Sequence, residues 1–481
     1  MLRQVQRVRT VMLSAMHLAL RGLLQKAALW KKADRIALLQ EKRLRKLVTH
    51  AKACSPFYAD LYRRIDPARC PLTDLPTTSK PVMMANFDQF LTDRQVKLAE
   101  LEEFVSDPGR LGQWYRGKYA ISRTSGTGGL QAIIVQDRAM MELLFALQML
   151  RGSRLTRSPL AILQRLFRRT RLAVVTIGQG FFPSASALAY EPAGAEFFIN
   201  KLWIQQIEPL EEVTARLNEF RPEVLLGYAN VLEMLAREEL EGRLRIGQQR
   251  TLRQIINMSE PLSAGARSLV EKAFGIMVTN NYAMGECMAL TTACPQGHGM
   301  HVQADWAILE VVDEELRPVP PGTSGAKVLI TNLYNTIQPF IRYEVNDVVT
   351  LSPAPCPCGS PLPLILRVEG RTDEVVWIED DGKFRQIHPY VFVDVLDEFP
   401  AVGWYQIVQT ERNRFTLRAV AAPGRLLTVD EVRQVMERGL RRFGLADKII
   451  MDVELSSDVA PNPKSGKLKR ISSQIAPPNI S

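Results

Sequence analysis

The sequence predicts an α/β protein. It has a large N-terminal domain, whose mainly parallel sheets are flanked by helices, and a small α+β C-terminal domain. Three observations carry that prediction. Leu172–Ile177, Val224–Tyr228 and Gln254–Met258 read as buried strands, and Pro209–Glu219 and Val231–Glu241 read as helices between them; strands alternating with helices pair in parallel. Beyond residue 370 the pattern changes to a hairpin, Val375–Glu379 and Phe384–Ile387 around Asp380-Asp381-Gly382-Lys383, followed by strand, helix and strand. Finally, 481 residues suit about three domains, or one large and one small.

Helical patterns dominate the first hundred or so residues, interrupted by the proline-rich stretch Pro67–Pro81. Residues 120–122 lead into a glycine-rich turn, and Ser263 is placed to cap a helix that ends before Gly275. The expected divisions are a helical, basic region 1–105 that packs on the large domain, a large domain 106–371, and a small mobile domain 372–481.

Composition excludes several classes. With 46% hydrophobic, 23% charged and 7% aromatic residues, the chain is neither disordered nor collagen-like nor a coiled coil. Six cysteines do not make a disulfide scaffold. The uncharged stretch Thr10–Leu20 falls short of the ~20 apolar residues that cross a bilayer. It lacks a small-residue cleavage site, so no signal peptide is expected, and the expected location is cytoplasmic.

The net charge of +10 is concentrated at one end. Residues 1–52 hold thirteen Lys/Arg and only Asp34 and Glu41, a local +11 that leaves −1 for the rest. The body therefore gives no reason to expect nucleic acid as a partner. Val5, Val8, Met12, Met16, Ala19, Leu23, Ala27 and Trp30 recur at helical spacing. Such a helix can lie on an anionic membrane at the inner face, meet an acidic partner, or pack on the main domain with a solvated basic face. A second run, Arg151 to Arg171, has seven Arg and no acid. It could meet phosphates or lipid headgroups, and the plainer reading is a solvated helix and loop.

Arg123-Thr124-Ser125-Gly126-Thr127-Gly128-Gly129 suits an anion, because glycines let backbone N–H groups converge and hydroxyls add donors. It departs from G-x-x-x-x-G-K-[ST], since no Lys follows the last glycine. A surface turn would look the same.

Seven blocks together carry a resemblance: Thr124–Gly129, Leu225-Leu226-Gly227-Tyr228-Ala229, Ser259-Glu260-Pro261-Leu262, Tyr282-Ala283-Met284-Gly285-Glu286, Ile341–Asp347, Gly370-Arg371-Thr372-Asp373-Glu374 and Pro463-Lys464-Ser465-Gly466-Lys467. In this order they resemble the adenylate-forming enzymes, in particular the phenylacetate–CoA ligase and capsule-biosynthesis-type branch. The resemblance implies ATP as cofactor, with Thr124, Ser125, Gly126, Thr127 and Gly128 on its phosphates. Ser259, Glu260, Pro261 and Tyr282 would lie beside adenine, and Leu225–Ala229 would be a substrate-pocket strand. Asp347 would accept from the ribose hydroxyls, Arg371 would sit near ribose and phosphate, and Asp373 would be the hinge. Glu286 would hold Mg²⁺, and Lys467 would reach the carboxylate and the α-phosphate. Lys467, Glu286 and Arg371 would thus be the catalytic set. The chain departs from the family pattern at Gly128, Leu130 and Gln131, where Thr, Lys and Pro are usual, and at Gly285, where a hydroxyl residue is usual.

Cys294, His301, Cys356 and Cys358 would supply three thiolates and an imidazole, the ligand set of a closed structural zinc site. Some relatives in the resembled branch look similar here. His298 could replace His301, and separately buried reduced cysteines are the alternative. Cys54, Cys70 and Cys287 are expected to be unliganded. His388 could face an acceptor channel or sit in a surface loop.

The implied reaction joins a carboxylic acid, aryl or another organic acid, to ATP as an acyl-adenylate. The acyl group then passes to a thiol, that of coenzyme A. Transfer to a carrier protein, amine or hydroxyl is the alternative. The rival from another class is a non-catalytic, zinc-bearing module that binds anionic membrane or nucleic acid through residues 1–52.

Overall fold

The computed structural model describes residues 33–481 except 125–129, 152–167, 177–179, 206–207, 261, 263, 372–375, 388–389, 398, 400, 423, 458–469 and 476–481. Before residue 33 it describes Ser14, Met16, His17, Leu18, Leu20, Leu23 and Leu24. The chain forms two compact units: Met1–Glu260 with Ala273–Val345 and Val349–Arg367, and Pro261–Lys272 with Asn346–Val348 and Val368–Ser481.

The first unit is built on a five-stranded sheet in the order Ile199–Gln205, Thr170–Thr176, Val224–Gly227, Gln254–Met258, Val278–Asn281. Every neighbouring pair is parallel. Ala173, Val174, Val175, Leu225 and Ile255 are fully buried, as expected of strands covered on both faces. The helices Leu210–Phe220 and Ala229–Leu240 connect these strands and bury Val213 and Leu217, and Val231, Leu232, Leu235 and Ala236. The alternation predicted from sequence is this sheet.

The other sheets of the unit were not read from sequence. Tyr119–Arg123 pairs antiparallel with Ile133–Asp137. Ala307–Val312, Lys327–Asn332 and Tyr343–Val345 form an antiparallel trio. Met300–Val302 pairs antiparallel with both Thr291–Ala293 and Leu364–Arg371. Of these strands, Thr291–Ala293, Met300–Val302 and Tyr343–Val345 are only three residues long, too short to show a period of two.

The Ala33–Cys54 helix buries Ile36, Leu44, Leu47, Val48 and Ala51, one stripe at helical spacing. Leu44, Leu47, Val48 and Ala51 join a core with Tyr58, Tyr62, Phe90, Phe340 and Tyr343. Part of its basic face is turned inward. Arg45 donates to the carbonyls of Pro67 and Cys70, Lys52 to that of Ile65 at 2.7 Å, and the Arg43 guanidinium stacks 3.3 Å over the Trp306 ring. Arg35, Lys42 and Lys46 remain exposed.

The Arg-rich run begins differently from its plainer sequence reading. Arg151 is buried, not solvated, and binds Asp305 through two N–H···O bonds of 2.8 and 2.9 Å and Gln303 at 2.7 Å. Residues 152–167 lie outside the described residues. Burial by itself would raise the Asp305 carboxyl, but Arg151 and Arg43 outweigh it and hold it below the usual carboxylate value. The pair therefore stabilises the fold above the unfolded pKa of about 3.9, and that contribution is lost as pH falls through the lower folded value. We expect Arg151→Ala to cost about 3 kcal/mol in a denaturant titration, because it strands a buried carboxylate. A loss below about 0.5 kcal/mol would put the pair among surface-like contacts.

In the second unit the predicted hairpin is Val376–Asp380 and Lys383–Ile387. Asp381 and Gly382 form its turn with φ of 52° and 74°, the positive values a tight two-residue turn requires. A four-stranded sheet follows in the order Ile450–Leu455, Arg414–Ala421, Val402–Glu411, Ile471–Ser473. The helices Tyr390–Asp397 and Val429–Arg442 pack with it around Phe392, Phe415, Ile407, Leu417 and Met436. Thr428 and Glu431 close a capping box on the second helix. A Cβ at Gly439 would fall 2.2 Å from Val395 Cγ2, so only glycine lets these helices approach so closely.

Candidate active site and metal centre

Ligands of open α/β sheets gather at the carboxyl ends of the strands. Three of the singled-out blocks lie there. Tyr228 follows Val224–Gly227, Ser259-Glu260 follows Gln254–Met258, and Tyr282 follows Val278–Asn281. Ser259 takes a left-handed φ of 61°, which turns the chain sharply at the strand end. Asn257 Nδ2 donates to the Glu260 carbonyl and to Asn280 Oδ1, both at 2.8 Å. Glu260 Oε2 accepts from the Asn230 N–H at 3.2 Å, in the first turn of the Ala229–Leu240 helix, where a negative charge is favoured. The Tyr282 backbone is pinned by Thr291 Oγ1, which accepts from its N–H at 2.9 Å and donates to its carbonyl at 2.7 Å. Tyr228 and Ser184 hydroxyls are 3.0 Å apart and buried.

The glycine-rich run joins two antiparallel strands rather than a strand to a helix, which is why it does not follow the strand–loop–helix pattern. Thr124 closes its base: its N–H donates to the Ala132 carbonyl and its Oγ1 accepts from the Ala132 N–H, both at 2.9 Å. Ser125, Gly126, Thr127 and Gly128 lie outside the described residues.

Gly285 packs against this base. A Cβ there would lie 3.2 Å from Pro183 Cγ and 3.5 Å from Thr124 Cγ2. The Pro183 ring leaves little room for a side chain at this position. Glu286 follows and is buried, 6% exposed. Asn332 Nδ2 donates to its carbonyl at 2.7 Å, and the Tyr343 hydroxyl lies 3.4 Å from Oε1. No cation among the described residues pairs with the Glu286 carboxylate.

The Ile341–Asp347 block divides its work. Tyr343 meets Glu286. Arg342, at φ 45°, binds both oxygens of Glu310 at 3.1 and 3.2 Å and the carbonyls of Thr73 and Leu75 at 2.8 Å. It clamps the proline-rich segment to the antiparallel sheet, a role that sequence reading missed because both partners are remote in the chain. In the second unit Arg371 Nε lies 3.9 Å from Asp347 Oδ1, which brings two predicted site residues together. Pro261, Asp373, His388 and Lys467 lie outside the described residues.

The donor atoms of Cys294, His301, Cys356 and Cys358 all lie within 4.8 Å of one another. Cys294 Sγ is 3.7 Å from Cys356 Sγ, and His301 Nε2 is 3.2 Å from Cys358 Sγ. A tetrahedral ion with Zn–S bonds of about 2.3 Å spaces its sulfurs about 3.8 Å apart, so the donor set fits. His301 Nδ1 donates to the Leu362 carbonyl at 3.1 Å, which leaves Nε2 as the lone-pair nitrogen facing the thiols. Burial holds the His301 imidazole below its usual pKa, favouring the neutral form that binds metals. His298 is exposed and pairs with Gln296 instead. Gly299, at φ 142°, shapes the turn: a Cβ would fall 2.2 Å from the Ile365 carbonyl oxygen. Cys287 is fully buried outside this cluster, and burial pushes its thiol up to about 12.

The fold is that of the adenylate-forming enzymes. The chain is similar to 2-hydroxyisobutyryl-CoA ligase in its postadenylation state, with a TM-score of 0.66 at 20% identity over 90% of this chain and 88% of that one. It is also similar to the thioesterification state of that enzyme, with a TM-score of 0.56 at 20% identity over 92% and 91%. Among curated proteins it is 28% identical over 279 residues to phenylacetate-coenzyme A ligase of Thermus thermophilus, covering 53% of this chain and 61% of that protein. It is 28% identical over 144 residues to CapK of Staphylococcus aureus, covering 30% of each. The chain thus spans less than two thirds of the length of the curated relatives it matches. No protein-family model matches it. These likenesses show the fold of the adenylate-forming enzymes, and over part of its length the chain is similar in sequence to a phenylacetate-coenzyme A ligase.

Proposed function

We propose that the protein activates a carboxylic acid with ATP and transfers the acyl group to the thiol of coenzyme A. The acid's oxygen attacks the α-phosphorus, the bond to pyrophosphate breaks, and an acyl-adenylate forms. The thiol then attacks the acyl carbon, loses its proton, and AMP leaves. The observation that carries this reading is Glu286, a buried carboxylate without a cation among the described residues, at the foot of a hydroxyl- and glycine-rich loop. Such a charge calls for a positive partner. Mg²⁺ bound there would offset the phosphate charge and help orient the nucleotide.

In this reading Thr124 and the loop that follows it donate to the phosphates, Ser259, Glu260 and Tyr282 flank adenine, and Asp347 with Arg371 binds the ribose. Lys467 neutralises charge as acid and α-phosphate approach, and the small domain turns at Asp373 between the two steps. The names of the relatives favour aryl or small organic acids as substrates. We assign the Cys294, His301, Cys356 and Cys358 cluster to a structural zinc ion, since four protein ligands leave no open position. The cytoplasm supplies the ATP and coenzyme A that this reaction consumes.

The test is acid-dependent exchange of labelled pyrophosphate into ATP across a panel of aryl, hydroxy and fatty acids. Exchange with none of them overturns the reading, and product analysis with and without coenzyme A identifies the acceptor. Lys467→Ala is expected to lower exchange by roughly 10²–10³-fold, while sparing thioester formation from a supplied acyl-adenylate. Equal loss in both steps would remove the role given to Lys467.

A further inference from the structure

We propose that the N-terminal segment docks the protein on an anionic lipid surface, through an apolar helix face that the protein body leaves uncovered. The described residues between 14 and 24 are helical. One side of this helix is seated: Leu18 is buried against Phe198, with Phe145 and Ile199 beside it, and His17 Nε2 lies 3.4 Å from the Glu142 carboxylate. Met16, Leu20, Leu23 and Leu24 form a second stripe. At about 100° per residue its centre points nearly opposite Leu18. Met16 is 65% exposed, Leu20 58% and Leu24 59%.

A helix on a protein surface ordinarily turns charged and polar side chains to water. Here the described residues on the outward side are leucine and methionine. Fourteen large apolar side chains are exposed among the described residues, and four of them fall within these nine positions. The next helix in the chain exposes Leu38 between Arg35 and Lys42. Clustering of this kind marks an interaction surface.

Charge selects the occupant. Residues 1–52 carry a net +11 and the remainder −1; Arg43, Arg45 and Lys52 are engaged by the protein body, while Arg35, Lys42 and Lys46 are exposed. A second copy of the chain would set the same positive segment against itself. Nucleic acid would neutralise the charge but offers no apolar depth for the leucines. A bilayer with anionic headgroups supplies both, at about 1 kcal/mol per Lys or Arg near the surface plus apolar burial at the headgroup boundary. No helix among the described residues is long and apolar enough to cross a membrane, which suits a helix lying in the interface. The inference is independent of the adenylation chemistry.

The test is sedimentation of the full chain with vesicles of phosphatidylcholine, alone or with about 30% phosphatidylglycerol, at about 50 and about 500 mM salt. Binding is expected on the anionic vesicles at low salt and at least about tenfold weaker on neutral vesicles or at high salt. Leu20→Glu with Leu24→Glu is expected to weaken binding at least about tenfold, since two leucines lose their apolar burial. Arg35→Glu with Lys42→Glu, on the neighbouring helix, checks the charge independently of the leucine helix. Circular dichroism should stay unchanged for both pairs. Binding that ignores lipid charge, or persists fully in both pairs, overturns the proposal. So does concentration-dependent self-association abolished by the leucine pair, or salt-sensitive DNA binding without vesicle binding.

Discussion

Glu286→Gln is expected to lower acid-dependent pyrophosphate exchange by roughly 10³–10⁴-fold, a loss of about 4–5.5 kcal/mol of transition-state stabilisation. The substitution keeps the side chain's shape and removes its charge. The residue's fixed contacts survive: Asn332 still donates to its carbonyl, and the Tyr343 hydroxyl still has an oxygen to meet. Its second expected signature is in stability. Removing a buried carboxylate that has no cation among the described residues takes away a desolvation cost. The variant should therefore unfold at the same denaturant concentration as the parent or a higher one. Activity and stability moving in these different directions would separate a catalytic role from a structural one. Exchange retained within tenfold would remove Glu286 from the site.

The second large effect is expected at the cysteine–histidine cluster. Elemental analysis of the purified protein should return one zinc per chain. Cys358→Ser and His301→Ala should lose it, while His298→Ala should keep it, because only His301 points its Nε2 at the thiols. Structural zinc contributes about 10–16 kcal/mol of apparent binding free energy. Losing a third of that should lower the unfolding midpoint by roughly 10 °C. The strands joined near the cluster, Thr291–Ala293, Met300–Val302 and Leu364–Arg371, pair over only two or three residues, so they depend on such a staple. A full complement of zinc in His301→Ala would overturn the ligand assignment.

Elements with a strong local signal were legible before any coordinates. Gln254–Met258 has the same bounds in the sequence reading and the structure, and Val224–Gly227 differs by one residue. Val224–Gly227 is a continuous apolar run, and Gln254–Met258 carries Ile255, Ile256 and Met258 between turn signals. The hairpin turn at Asp381-Gly382 was legible because few residue pairs accept two successive positive φ angles. His301 and His298 were not separable by spacing. The pairing of His301 with Thr292 on one side and Leu364 on the other settles their positions in the fold, and the partner at Leu364 is remote in the chain. Arg151 and Arg342 read as two more cations until their partners, Asp305 and Glu310, are seen 154 and 32 residues away.

What the sequence determined by itself was therefore local: periodicity, turn chemistry, the order of the motifs, the concentration of positive charge in residues 1–52. Those follow from side-chain patterning over a few residues. Only the tertiary structure decided which charges are buried, that Pro183 and Thr124 pack on Gly285, and which histidine joins the thiols. It also decided which face of the first helix is left to water. Each depends on atoms brought together from distant parts of the chain, and burial is a property of that assembly.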